Sequence, residues 1–217
     1  MNTVKTFKIG INSTRKLPQL TNVGYICPNG NINFQTNEAA VTYAKNSIIA
    51  ALKCKKPFER AIVLSDNTIL GEYDGNSDTV TITINIRKVK KHLHNKISVY
   101  HGHTDNTETE GVTNPISFDD YRFMKYEKVD EVVAINSKGE FSKLKNTHKP
   151  IWLSSQKWFI DKVILSCFKN YIERVASKHA QTTPQGKQAI HEFWKWAATK
   201  LRYGIEYSTN FSHLKNI

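Results

Sequence analysis

Long apolar runs are missing from this chain. None approaches the roughly 20 residues that a membrane-spanning helix needs, so no membrane partner is expected. The opening stretch MNTVKTFKIGINSTRKLPQL has no apolar centre of the secretory type. A cytoplasmic location, or delivery into a host cell by a route that reads no signal peptide, is the corresponding expectation. Cysteine is scarce as well: Cys27, Cys54 and Cys167 are odd in number and form no CxxC pair. That excludes a disulfide scaffold and a cysteine-based zinc module, and it suits a reducing compartment. Acidic residues are too few to balance the basic ones, 19 against 31, which leaves a formal charge of +12. Such a surplus favours an acidic partner, nucleic acid included. Yet the densest cluster, IRKVKKHLHNK at 86–96, carries no interleaved aromatics and no helix-turn-helix or finger spacing, and reads as a solvated basic edge.

What is present is enough for a packed core. Hydrophobic residues make up 39% of the chain, with four Trp, nine Tyr and ten Phe, so the protein is globular rather than disordered. Residues 1–35, polar and broken by Pro18, Pro28 and PNGN, read as an N-terminal arm with short strands. A helix is expected over 37–53, capped by Thr36 or Asn37, because Ala40, Tyr43, Ala44, Ser47, Ile48 and Ala51 recur at helical spacing. Runs 61–65 and 68–73, joined by Ser-Asp-Asn, give a hairpin. TVTITI at 79–84 and ISVYHGH at 97–103 give two further strands, SFDDYRFMKY a short helix, and DEVVAINSKGEFSKL a hairpin turning at 137–139. Beyond Pro150 the period becomes helical, with two helices whose aromatic stripes (Trp158, Ile164, Phe193, Trp196) belong to a core. The expected fold is α/β, an α+β mixed sheet flanked by helices. It divides into the arm, a core over 36–150 and a C-terminal helical extension over 151–217, packed on the core.

The chemistry concentrates in VYHGHTDNTETEGVTNPISFDDYRFM, residues 99–124. Side chains alternate along a strand, so His101 and His103 share a face while Gly102 points away and permits a close approach. Two neutral imidazoles suit zinc, and a catalytic zinc site needs a third protein ligand with a position left open. Asp120 is the candidate for that ligand. The rival reading is structural: Ser117 followed by Asp120 is a capping box at the start of a helix. A second pair, His92 and His94, lies among lysines that disfavour a cation and reads as surface. HEFW at His191 lacks the second histidine of an HExxH motif.

Upstream, Glu72 sits in ILGEYDGNSDTVTI, ahead of the histidine strand. Glu, then H-x-H on a strand, then S-x-x-D opening a helix, resembles the JAMM (JAB1/MPN+) metalloproteases, and bacterial and phage-type JAB domains in particular. The resemblance covers about residues 36–145. It implies a JAMM/MPN-like core, with Glu72 as catalytic base, His101, His103 and Asp120 as Zn2+ ligands, and Ser117 as a second catalytic residue that helps hold the oxyanion. It implies hydrolysis of a peptide or isopeptide bond in a protein substrate, with ubiquitin or a ubiquitin-like protein the leading expectation and a bacterial effector or toxin the setting. Two departures stand out. Thr104 replaces the family's proline, and the linker 104–116 is long and acidic through Asp105, Glu108 and Glu110. That length leaves Asp119 as a fallback ligand. The competing expectations are a basic nucleic-acid-binding module with incidental histidines, and an inactive MPN-like scaffold that binds ubiquitin-like proteins without cutting them.

Overall fold

The computed structural model of the chain describes residues 7–9, 25–26, 32–77, 79–82, 96–104, 115–127, 129–147, 162–163, 166–171, 184–201 and 205–210. Ten strands are found among them. They are β1 (Phe7–Ile9), β2 (Tyr25–Ile26), β3 (Ile32–Asn33), β4 (Arg60–Ser65), β5 (Thr68–Asp74), β6 (Val80–Ile82), β7 (Ile97–Gly102), β8 (Glu131–Ile135), β9 (Phe141–Asn146) and β10 (Ile205–Thr209). Helices α1 (Asn37–Lys53), α2 (Phe118–Glu127) and α3 (Pro184–Trp196) flank them, α3 running on into a π-helical turn over Ala197–Leu201. The fold is mixed α+β, as the alternating and helical periods imply. Eight strands form one sheet in the order β10-β9-β8-β7-β4-β5-β3-β2, and β1 pairs with β6 in a separate ribbon. β7 and β8 run parallel, joined through α2; the other pairings are antiparallel. Among the described residues no helix is long and apolar enough to cross a membrane.

Strands β4 and β7 are buried along their whole length. A strand buried on both faces needs apolar cover on each side, and the helices provide it. α1 starts at Thr36, whose hydroxyl accepts the Ala39 N–H at 3.2 Å. It turns Ala40, Ala44, Ile48, Ala51 and Leu52 inwards at helical spacing. Its apolar stripe covers a layer containing Ile62, Tyr100 and Val133. On the opposite face Ala61, Val99 and Ala134 meet α2 and α3 through Tyr121, Met124, Phe193 and Trp194. Cross-strand pairing keeps these faces distinct: Ile62 opposes Tyr100 and Ala61 opposes His101. A Cβ on Gly102 would meet the side chains of Ile48 and Leu52 at 3.0–3.2 Å. The close approach that Gly102 permits is therefore that of α1.

The terminal segments are woven into the fold. β1 and β2 both pair with later strands, and β10 forms the edge of the main sheet beside β9. The extension thus contributes a strand that helical periodicity does not reveal. Phe193 and Trp194 are buried and the Trp194 indole donates to the Ile116 carbonyl at 2.8 Å, which ties α3 to the segment before α2. Trp196, expected in the core, is instead 41% exposed. It closes α3 two residues after Trp194, so it falls on the far side of the helix from that buried face. Trp158 and Ile164 lie outside the described residues.

The burial of Trp194 makes a direct prediction. Truncation of a buried Trp to Ala costs about 3–5 kcal/mol, so Trp194→Ala should lower the denaturation free energy of the whole chain by that order in one cooperative transition. A loss below about 1 kcal/mol, the range of surface substitutions, would mean that α3 merely rides on the surface.

Candidate metal centre

Three elements bring the candidate ligands together. His101 is the penultimate residue of β7, and His103 lies just past its end, its N–H bonded to the Ile135 carbonyl of β8 at 2.9 Å. Asp120 lies in the first turn of α2. His101 Nε2 is 3.3 Å from Asp120 Oδ1, and His103 Nε2 is 3.8 Å from Asp120 Oδ2. One ligand-type atom from each residue falls within 4.8 Å of the other two, a spacing at which the group could hold a single metal ion. His101 and Asp120 are fully buried, while the His103 side chain keeps 16% of its surface exposed and gives the group its outlet to solvent.

Asp120 performs both tasks that the sequence offers as rivals. Its Oδ2 accepts from the Ser117 N–H and hydroxyl, each at 2.8 Å, and the Ser117 Oγ accepts the Asp120 N–H at 3.1 Å. That is a reciprocal cap. Oδ1 is left over. Among the described residues Asp120 Oδ1 and both ring nitrogens of His101 are buried without a hydrogen-bond partner. The 3.3 Å contact between Oδ1 and Nε2 falls outside hydrogen-bond geometry. Buried polar atoms without partners cost about 1–3 kcal/mol each, and a cation held by this group would satisfy Asp120 Oδ1 and one of the two His101 nitrogens. Asp119 is exposed, with an ion-pair contact to Arg122 at 3.7 Å, so the fallback ligand is not part of the group.

The electrostatics prepare the imidazoles for a metal. Burial pushes His101 down to about 4. Burial, then the neighbouring His101 and the Lys187 ammonium, pushes His103 down to about 3. Both rings are neutral at pH 7, the form that ligates. Burial raises the Asp120 pKa, against the opposing pull of His103 and the Ser117 hydrogen bonds. Lys187, only 3% exposed on α3, is a charged neighbour that a linear reading of HEFW and its surroundings does not single out.

Glu72 is not part of this centre. It opposes Ile62, which opposes Tyr100, so it lies two strands from His101 and on the α1 face of the sheet. There the Tyr43 hydroxyl donates to it, and burial raises its pKa. A carboxylate separated from the histidines by the sheet itself cannot serve as their base. The residue with the right parity is Glu59. It lies two positions before Ala61, the partner of His101, and its backbone continues the ladder through Glu59 N–H to Asn76 O and Gly75 N–H to Glu59 O, each 2.7 Å. Counting the alternation of β4 back from Ala61 puts Glu59, which is 7% exposed, on the histidines' face of the sheet. The sequence signal was the two-residue period alone, counted back from Ala61.

Ser117 is brought to the site, but its one hydroxyl proton goes to Asp120 Oδ2, so it holds the ligand and is not free to donate to an oxyanion. Thr104 is bonded through its hydroxyl to the Ser77 carbonyl and ties the end of β7 to the turn before β6. Residues 105–114, the basic stretch 86–95 with His92 and His94, and Cys27 lie outside the described residues; Cys54 and Cys167 are free thiols. Comparison of the chain with protein-family models, curated proteins and solved structures gives no match.

The buried histidines set a pH dependence. An unfolded imidazole takes its proton near pH 6.5, whereas folded His101 resists protonation until about pH 4. Between those values the unfolded chain binds more protons, so stability falls as pH is lowered through the window. In chelator-treated protein, replacing His101 by Leu should remove about 1.4 kcal/mol per pH unit from that slope, read by denaturation at pH 4.5–6.5. Parallel profiles for the two proteins would contradict the neutral, buried assignment.

Proposed function

We propose that the chain is a zinc-dependent metallopeptidase of the JAMM type that hydrolyses an amide bond, peptide or isopeptide, in a protein substrate. One observation carries this reading: His101, His103 and Asp120 converge with unpartnered buried ligand atoms, in the H-x-H and S-x-x-D order of that family. Two neutral imidazoles and one carboxylate make a donor set suited to Zn2+, and they leave a coordination position for water or substrate. Bound there, zinc supplies Lewis acidity and a water acidic enough to give up its proton near neutral pH.

The chain's own residues divide the remaining work. His101 and Asp120, fully buried, fix the inner side of the centre, and partly exposed His103 borders the solvent side. Ser117 locks the Asp120 carboxylate by two hydrogen bonds. Glu59, on the histidines' face, is the carboxylate that accepts the proton of the attacking water and returns it to the departing amine. Glu72, behind the sheet, takes no part. The reading as a basic nucleic-acid module has only net charge behind it, and the inactive-scaffold reading differs in lacking turnover with zinc bound.

The test has two stages. Chelated and reloaded protein should hold about one zinc per chain, His101→Ala should hold none, and Asp120→Asn, which keeps a cap acceptor, should bind it more weakly. At matched zinc content, turnover of a quenched-peptide library should fall about 10²–10⁴-fold in Glu59→Gln, the usual worth of general acid–base catalysis. Glu72→Gln should stay within a few-fold of the unaltered protein. The reverse pattern would restore Glu72 to the mechanism, and absence of zinc binding would end the proposal.

A further inference from the structure

A concavity of about 160 Å³ opens beside the candidate metal centre. Its polar lining is His103 and Ser117; its apolar lining is Pro115, Ile116, Phe118, Phe168 and Ile190. Ile116, Phe168 and Ile190 are each at most 7% exposed, so the walls are part of the core rather than loose surface side chains. They are also rigidly placed. Phe118 and Phe168 pack with ring centroids 5.7 Å apart, and the Trp194 indole bonded to the Ile116 carbonyl fixes α3, and Ile190 with it, against the segment entering α2. Phe168 and Ile190 both come from beyond residue 150, so the C-terminal segment supplies two of the five apolar lining residues. This gives that segment a task at the site in addition to its place in the core.

We infer that this concavity is the specificity pocket of the proposed peptidase, and that it receives a leucine- or phenylalanine-sized side chain from the residue whose carbonyl is attacked. The inference rests on the metallopeptidase reading above. Three features argue for that occupant. The lining includes His103, a ligand of the centre, so a side chain seated in the concavity belongs to a residue at the scissile bond rather than to a distant one. The five apolar lining side chains offer no hydrogen-bonding group, which excludes a charged or amide side chain unless its polar end stays outside. The volume matches the apolar cavities of about 150 Å³ that take a benzene ring. A glycine at the same position would leave the pocket unfilled and forgo its burial.

The probe is a series of N-acetyl amino-acid hydroxamates, in which the metal-binding head is constant and only the side chain changes. Zinc-loaded full-length protein is titrated calorimetrically with the glycine, leucine and phenylalanine members. Leucine or phenylalanine should bind at least about tenfold tighter than glycine, the selectivity that burial of such a side chain provides. In Ile190→Phe, which fills the pocket from its wall, that preference should shrink to about threefold or less while the glycine compound keeps its affinity. If this variant does not fold, the series on the unaltered protein decides. Equal affinities across the series, with all three compounds bound to the zinc-loaded protein, would overturn the pocket and leave the metal centre standing. Failure of the protein to take zinc, or of the zinc-loaded protein to bind any hydroxamate, would overturn the metallopeptidase reading and the pocket with it.

Discussion

The carboxylate of Asp120 is the part on which the site and the local fold both depend. One oxygen closes the first turn of α2 through Ser117, and the other is held, unpartnered, beside His101. The cap fixes where α2 begins, and that start fixes where the third ligand atom sits relative to β7. A capping residue used in this way makes the helix a rigid mount for the ligand, so side-chain entropy is lost on folding rather than on metal binding. The S-x-x-D pattern is therefore a structural signature and a chemical one at the same time.

The alternation of β7 completes the arrangement. His101 and His103 face α2 while the residue between them faces α1, where a Cβ would crowd the side chains of Ile48 and Leu52. The protein thus places polar groups in a layer that otherwise packs Ala61, Val99 and Ala134. Partnerless buried atoms at the centre lower the stability of the metal-free fold, and a bound cation would offset this by mass action. Local stability is exchanged for a preformed ligand set, with neutral imidazoles and a carboxylate whose negative charge burial alone does not favour.

Much of this was legible in the residues. The period of two put both histidines on one face, the S-x-x-D spacing marked the start of α2, and Ser-Asp-Asn and Ser-Lys-Gly marked the two hairpins, with Asp66 at φ 48° and Gly139 at φ 83° in the turns. Register between strands was not legible. Glu72 and Glu59 are both strand-associated carboxylates, and only the pairing of Ile62 with Glu72 and of Ala61 with His101 decides which one shares the histidines' face. Local period likewise hid β10, which is stabilised as the edge strand beside β9, and it misjudged Trp196, which falls on the far side of α3 from buried Trp194. Lys187 and the apolar pocket were invisible for the same reason, since both arise from the docking of a distant helix.

The most direct test of the central claim is the X-ray absorption spectrum of the zinc-reconstituted protein at the zinc edge. The account predicts a first shell of nitrogen and oxygen only, near 2.0–2.1 Å, with scattering from two imidazole rings that drops to one in His103→Ala. A shell containing sulfur, a purely aquated ion, or imidazole scattering unchanged by that substitution would contradict it.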